Sequence, residues 1–492
     1  MQARFTIKAI NSQDGYLTVY LSLIFGIVLS LVLTLVEGAA LGASRAQAEL
    51  VADLGMDSAF AEYHREILNQ YELFFLDTSY GEADGGLGST QEHLLDYMEY
   101  NMTPKKEMNM GGCSLLTLEN IQLNINEVSF ATDDNAAAWK AQAVNYMKSV
   151  YGGDLISTVK GYVDVVNGNQ MAVRDIKGEV SENKAAFEEA LKENEIIEYT
   201  GETEGGNSYS QITDVFDSIT GSGLLSIVMP SGKTISGTSV DTSKYFTSRK
   251  NAGNVNKGIG LHEGVPKADG IDDEIIFNEY LMKMYGNYAN PKEEGHLDYQ
   301  IEYILYGKDS DEANLRECVE KIYAIRAVSN MLYLMSDSWK YNEVHSLALA
   351  ICTILLVPQL ADVLTLIILG IWALAEAIVD VRSLLNGEKV PLLKSSSDWN
   401  LDLGSLLSFD FLRTGGNSHG LEYQDYLRVL LALQNPEEKV NRSLDIVEMD
   451  IRATDGNENF RIDRCIDYME VNFGFVDTRG REFVFDKKMC YE

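Results

Sequence analysis

Tyr16 to Val36 contains no charged residue, and apolar side chains occupy every helical face of that stretch. A helix of this length rises ~32 Å, enough to cross a hydrocarbon core. It is too long for the apolar region of a signal peptide, although the small residues Gly38 to Ala40 would suit a signal peptidase. The helical pattern runs on past Val36. No proline occurs between Glu37 and Leu76, and Ala, Leu, Glu and Gln dominate. The pattern predicts a transmembrane helix over 16–36 that extends into a helical stalk over 37–78. Small residues crowd the start of the stalk. Gly38 and Gly42 form a GxxxG step, which predicts close packing against another helix.

Beyond a glycine-rich break at Gly81–Thr90, the pattern predicts an α+β region over 79–198. Gln91–Tyr100 reads as a helix, and Cys113–Phe130 alternates like a strand. Asn135–Val166 reads as two helices around Gly152-Gly153, and Ser181–Asn194 as a helix opened by a serine cap. Residues 199–270 are rich in Gly, Ser, Thr and Asn with few apolar anchors, which predicts a flexible insert. Helix returns in 271–492, at Asp273–Ala289 and Asp311–Lys340, with a strand-like Leu297–Gly307 between them. Ser346–Pro358 is too short to cross a membrane; Ala361–Leu385 carries Asp362, Glu376 and Asp380 but is long enough for a further span, the alternative to a buried core. Together they predict a buried apolar helical hairpin over 346–385. Arg461–Val476 and Arg481–Glu492, joined by Asp477–Gly480, predict a C-terminal β-hairpin. The fold class read from the pattern is α+β: a transmembrane helix extending into a stalk, then a large, mostly helical external domain with antiparallel strands.

Charge sets the expected topology. The formal net charge is −34. The tail 1–15 carries Arg4 and Lys8 against Asp14, whereas Arg45 is outnumbered beyond the span by Glu37, Glu49, Asp53 and Asp57. The positive-inside rule puts the tail in the cytoplasm and 37–492 outside the cell membrane. So acidic a chain excludes nucleic acid as a partner. One segment is locally basic: Lys244, Arg249, Lys250, Lys257 and Lys267 stand against Glu263. It suits contact with the acidic remainder of the chain or with an anionic wall polymer.

Candidate chemistry is sparse. Pro230–Thr234 ends like a phosphate loop, but Ile227 stands where the first glycine is required. No HExxH, GxSxG or EF-hand spacing occurs. No catalytic, metal or cofactor-binding residue and no small-molecule substrate is assigned, and the chain is read as a non-enzyme. A cell-wall hydrolase would need two facing carboxylates or a Cys–His pair assembled by folding. Of the five cysteines, Cys352 lies in an apolar run and reads as buried. Cys465 and Cys490 lie in neighbouring strand-like runs and form a candidate disulfide.

Two runs carry a family resemblance. Asp14–Ala39, through Gly15, Thr18, Val19, Leu21, Leu23, Glu37, Gly38 and Ala39, resembles the opening of Tad/Flp-type pilus proteins, the TadE-like and TadG-like pseudopilins. More closely, it is similar to an uncharacterised Gram-positive family of Tad-locus-associated proteins with one N-terminal membrane helix and a large external domain. Ile371–Trp399 resembles a second run of that family: Trp372-Ala373-x-Ala375-Glu376, Asp380-x-Arg382, then Gly387-x-x-Val390-Pro391-Leu392-x-Lys394. The resemblance implies a pseudopilin-like accessory or structural protein of a Tad-type pilus or related secretion system. It implies as partners further copies of itself, other Tad-like pilins and the assembly platform. It makes Gly15 and Tyr16 the candidate prepilin-type processing site, although the fifth residue after Gly15 is Tyr20 rather than an acid. The metal-binding DxSxS motif of many TadG-like proteins is missing. The rival expectation is a membrane-anchored adhesin or wall-polymer binder with no assembly role.

Overall fold

The structure is a computed structural model that describes residues 13–102, 118–150, 154–193, 204–221, 223–260, 267–268, 270–292, 295–408, 413–416 and 419–491. Most of the expected cytoplasmic tail, Cys113 and Glu263 lie outside the described residues. The described chain is mostly helical, with one small antiparallel sheet.

Helix α1 (Gln13–Phe60) runs unbroken for 48 residues. It stops at Phe60, so the helix does not run through the whole of the stretch 37–78 as the pattern suggested. The next helix, α2 (Arg65–Tyr71), opens on His64, whose Nδ1 accepts the Ile67 N–H at 3.4 Å. Strand β1 (Leu76–Asp77), α3 (Leu87–Met102) and β2 (Leu118–Phe130) follow. Then come α4 (Asp133–Val150), α5 (Asp154–Gly168) and α6 (Ile176–Glu193). Ser181 is not a cap. It lies inside α6 and donates back to the Lys177 carbonyl at 2.9 Å, while Asp175 accepts the Gly178 N–H at 3.0 Å.

The segment expected to be a flexible insert is folded wherever it is described. It carries α7 (Glu204–Gly221), α8 (Leu224–Val228) and α9 (Phe246–Asn251). Its few apolar residues recur at helical spacing. Ile212, Val215, Phe216, Ile219, Leu225, Val228 and Phe246 are all buried. A second correction concerns Leu297–Gly307. After α10 (Ile271–Met284), this run forms α11 (Gln300–Tyr306) rather than a strand. Every residue from Tyr299 to Leu305 is buried, so the apparent alternation did not distinguish two faces. Gly307, at φ 63°, closes the helix in the left-handed region.

The rest of the large core comes from α12 (Asp311–Ser336), α13 (Ser338–Ile354), α14 (Ala361–Leu385), α15 (Leu403–Leu407), α16 (Tyr423–Leu433) and α17 (Pro436–Arg452). Almost every residue of α14 is buried, which makes it the central helix. Its length and apolarity would let it cross a membrane, but its partners here are protein. Helix α13 packs on it with one face and leaves Trp339, Leu349 and Ile354 exposed. The apolar hairpin of the sequence reading is therefore buried along α14 and half-buried along α13.

The C-terminal hairpin forms as expected, with β3 (Cys465–Asp477) paired antiparallel to β4 (Glu482–Cys490). Strand β3 is central. It takes β2 on one edge, and β1 and then β4 on the other. A second core lies between this sheet, α3 and the latter part of α1. Ala48, Val51, Ala52, Met56, Ala59 and Phe60 of α1 meet Leu94 and Met98 of α3, with Val471, Phe473 and Phe475 of β3 below. Each large side chain buried here contributes about 1.5–3 kcal/mol. The latter part of α1 is thus a structural element of the folded domain.

Candidate functional site

Two places stand out: the bare part of α1, and the interior around the run Ile371–Trp399. Along α1, all residues from Tyr16 to Ala39 are exposed, with Tyr16, Leu23, Phe25, Leu31 and Leu35 each showing well over half of their surface. Burial begins at Ala40 and continues through Ser44, Ala48 and Ala52. This stripe repeats every fourth residue, and small side chains let α1 lie close to its neighbours. The closest approach is at Gly55, where an added methyl group would come within 2.9 Å of Met98 Cγ. Gly38 and Gly42, the expected packing pair, lie on the side of α1 away from Ala40 and Ser44 and have no other part of the chain within 4 Å of an added methyl. Gly15 is helical within α1, and Tyr16 is fully open.

The second place gathers charge inside the protein. Lys394 Nζ pairs with Glu376 and lies 2.6 Å from Asp380 Oδ1. Arg326 approaches the same Asp380 from α12, at 3.0 and 3.1 Å, and Asn330 donates to it at 3.0 Å. Arg326 also donates to the Pro391 and Leu392 carbonyls at 2.8 and 2.9 Å. Glu376 accepts the backbone N–H groups of Asn400 and Leu401, both at 2.9 Å. Two cations thus face two carboxylates, all essentially closed to solvent. Burial pushes both acids up. At Asp380 the adjacent Lys394 and Arg326 outweigh it and hold the carboxyl below its ordinary range. At Glu376 burial prevails over Lys394, with Asp380 adding repulsion, so that carboxyl is raised. Trp372 and Trp399 cap the network at 87° to one another, and Trp372 Nε1 donates to the Leu401 carbonyl at 3.2 Å. Trp372, Glu376, Asp380, Pro391, Leu392, Lys394 and Trp399 of the run therefore lie in or beside a single buried network. Arg382 instead donates to the Ile227 carbonyl at 2.9 Å and ties α14 to α8.

Comparison with known families gives one match. Residues 202–477, from the start of α7 to the end of β3, match the "Family of unknown function (DUF5702)". The chain belongs to this family. No curated protein and no solved structure matches it. The DUF5702 region contains the buried charge network and α14, whereas α1 lies outside it.

Within the DUF5702 region several cations of the basic segment are paired internally. Arg249 pairs with Glu448 and, at 2.8 Å, with Asp463, both fully buried. Lys250 reaches Glu437 at 2.9 Å, and Lys244 reaches Asp241 at 3.2 Å. Of the two expected partners, the acidic remainder of the chain occupies these side chains. Helix α17 is the receiving surface, a residue set that sequence reasoning missed. Its Asp445 accepts from the Thr247 N–H at 2.7 Å and Tyr303 Oη at 3.0 Å. Its Asp450 accepts from Tyr71, Gln300 and His296 at 2.8–2.9 Å. The signal was the regular apolar spacing of α17 interleaved with acids, which reads as a solvated face until partners from other segments cover it.

The buried acid pair and a His–Asp–Ser group are each committed to other partners. Glu376 and Asp380 face each other across Lys394 with no cavity between them. His64, Asp77 and Ser79 lie near one another, but Ser79 Oγ donates to Asp77 at 2.7 Å while His64 caps α2 and meets Asn457 at 3.1 Å. No proton relay connects them. No group of three His, Cys, Asp or Glu side chains among the described residues is disposed to hold a metal ion. A cavity of about 360 Å³ is lined by Arg174, Ile219, Tyr323 and Leu374. Its one arginine is already engaged by Glu179, at 2.6 and 2.7 Å.

The candidate disulfide is corrected by register. Cys465 and Cys490 are not joined to each other in a disulfide. Cys490 stands opposite Tyr468, three residues along β3 from Cys465. A bulge at Asp467 leaves Cys465, Tyr468 and Cys490 all on the side of the larger core, but the run of strand between the two stations, roughly 7–10 Å, is more than a disulfide can bridge. Cys352 is buried as expected.

Proposed function

We propose that this protein is a membrane-anchored, pseudopilin-like accessory or structural component of a Tad-type pilus or related secretion system. Residues 16–36 span the membrane with the N-terminus in the cytoplasm, and the acidic α+β domain is carried outside. The observation that carries the reading is α1. One continuous helix has an apolar first part with no protein cover and a second part locked under an antiparallel sheet. An exposed apolar helix of this length needs lipid or other helices around it. Its rigid continuation into the domain passes any lateral assembly of the anchors directly to the domain outside. The open faces of Gly38 and Gly42 support packing of anchors against one another, since no part of this chain fills them.

The role is structural in this reading: displaying the DUF5702 domain at the base or tip of the assembly. The buried, internally satisfied charges support it, because they leave no open catalytic group at the network. The test is cross-linking in native membranes followed by purification. The reading expects adducts with further copies, Tad-like pilins or the assembly platform, and impaired pilus assembly on deletion. Recovery of the protein without any such adduct, together with unaltered assembly in the deletion strain, overturns it.

A further inference from the structure

The β3–β4 turn lies beside the point where the bare apolar stretch of α1 ends. Arg479 Nη1 is 3.9 Å from Glu37 Oε1, and Glu37 directly follows Val36. At the other end of β4, Lys487 Nζ is 3.3 Å from Glu49 Oε1 and 2.8 Å from Asp53 Oδ1. These contacts lay the hairpin along α1 with its turn toward the apolar stretch.

The turn is stiff. Asp477 accepts the backbone N–H groups of Arg479 and Arg481, both at 2.9 Å, and the Arg481 Nε at 2.8 Å. Gly480 supplies the positive φ of 73° that closes it. Thr478, Arg479 and Gly480 are exposed. Arg481 is held by Asp477, but the ion pair of Arg479 is only the long contact to an exposed Glu37. Arg479 is therefore available to a better anion.

We propose that the β3–β4 turn rests in the outer headgroup layer of the membrane, with the Arg479 guanidinium on lipid phosphate. The proposal rests on the reading of 16–36 as a membrane span. Because α1 is unbroken and the sheet is packed on it, placing 16–36 in the bilayer places the turn at its surface. Guanidinium pairs well with phosphate, and most other surface of so acidic a chain would be repelled by it. The domain then sits against the membrane instead of standing off on a stalk.

The test uses the full chain in phosphatidylglycerol-containing vesicles. A benzoylphenylalanine photo-cross-linker replaces Thr478 in one sample and Leu29 in another. The proposal expects lipid adducts by mass from both positions, and a several-fold loss at position 478 when Arg479→Glu is added. Arg479→Gln should give an intermediate loss, and the unchanged helical content of both variants separates the effect from misfolding. Lipid adducts at position 29 with none at 478 overturn the turn contact and leave the anchor standing. Adducts at neither position overturn the anchor reading, and the turn contact with it. Adducts at 478 that Arg479→Glu does not reduce overturn the role of Arg479.

Discussion

Arg326 and Asp380 meet at 3.0 Å with neither side chain open to solvent, and this pair joins α12 to α14 at the centre of the DUF5702 region. A buried pair is costly to break from one side, because the remaining charge loses its partner. Asp380→Ala should therefore destabilise the domain by about 3–5 kcal/mol in chemical denaturation, since it leaves Arg326 and half of Lys394 unpaired. Adding Arg326→Met should recover part of that loss. A double mutant no more stable than Asp380→Ala alone would contradict the coupling.

The two glycine positions on α1 should separate cleanly. Gly55→Val brings side-chain atoms onto Met98 and should cost about 1–3 kcal/mol. Gly38→Leu with Gly42→Leu meets open space and should change stability by less than ~0.5 kcal/mol. The same double change should abolish cross-linking between anchors. Persistent cross-linking would show that another face brings the helices together.

Stability should fall as pH rises through neutrality. Burial pushes Glu302 up to about 7, and the same cause pushes Asp445 up to about 7. The folded state then holds protons that the unfolded state releases near pH 4–4.5. Their contribution is fully present below the unfolded pKa values and is lost as pH rises through about 7. Glu302→Gln, which keeps the neutral form, should be close to neutral at pH 4 and stabilising at pH 8, by up to roughly 3 kcal/mol. Melting temperatures measured across that range check both the sign and the window. Equal effects at the two ends would refute the assignment to Glu302.

Truncation should distinguish the two parts of α1. A chain of residues 37–492 keeps Ala48, Val51, Ala52, Met56 and Phe60 over the sheet and should be soluble and fold cooperatively. Residues 80–492 lose that cover, exposing Phe473 and Phe475 of β3 and Leu94 of α3, and should aggregate. Size-exclusion chromatography of the two proteins decides it. A well-behaved 80–492 would mean that the second core is dispensable.

The thiols give a direct check of strand register. In denaturant without reductant, alkylation should modify both Cys465 and Cys490. Under native conditions Cys490 should react first, since Cys465 is fully buried. Protection of both in denaturant until reductant is added would restore the disulfide.

The sequence by itself determined the elements whose signal is local. The charge-free stretch after Tyr16 and the unbroken pattern beyond it made α1 a helix, because 3.6-residue periodicity and the lack of proline act within the segment. Strand β2 and the C-terminal hairpin were legible for the same reason, as was the burial of α14, whose embedded acids argued for protein surroundings. Tertiary structure decided what long-range contacts control. Periodicity cannot tell which face of α1 is covered, so Gly38 and Gly42 were singled out while Ala40, Ser44, Ala48 and Ala52 make the contact. Polar composition cannot show that Arg249 finds Glu448 and Asp463, far along the chain, which is why a folded segment read as a flexible insert. Glu376, Asp380 and Lys394 stood in one recognisable run, but only the packing of α12 beside α14 brought Arg326 to balance their charge. Charge pairing at such separations depends on where the backbone places each group, and that placement is a property of the assembled core.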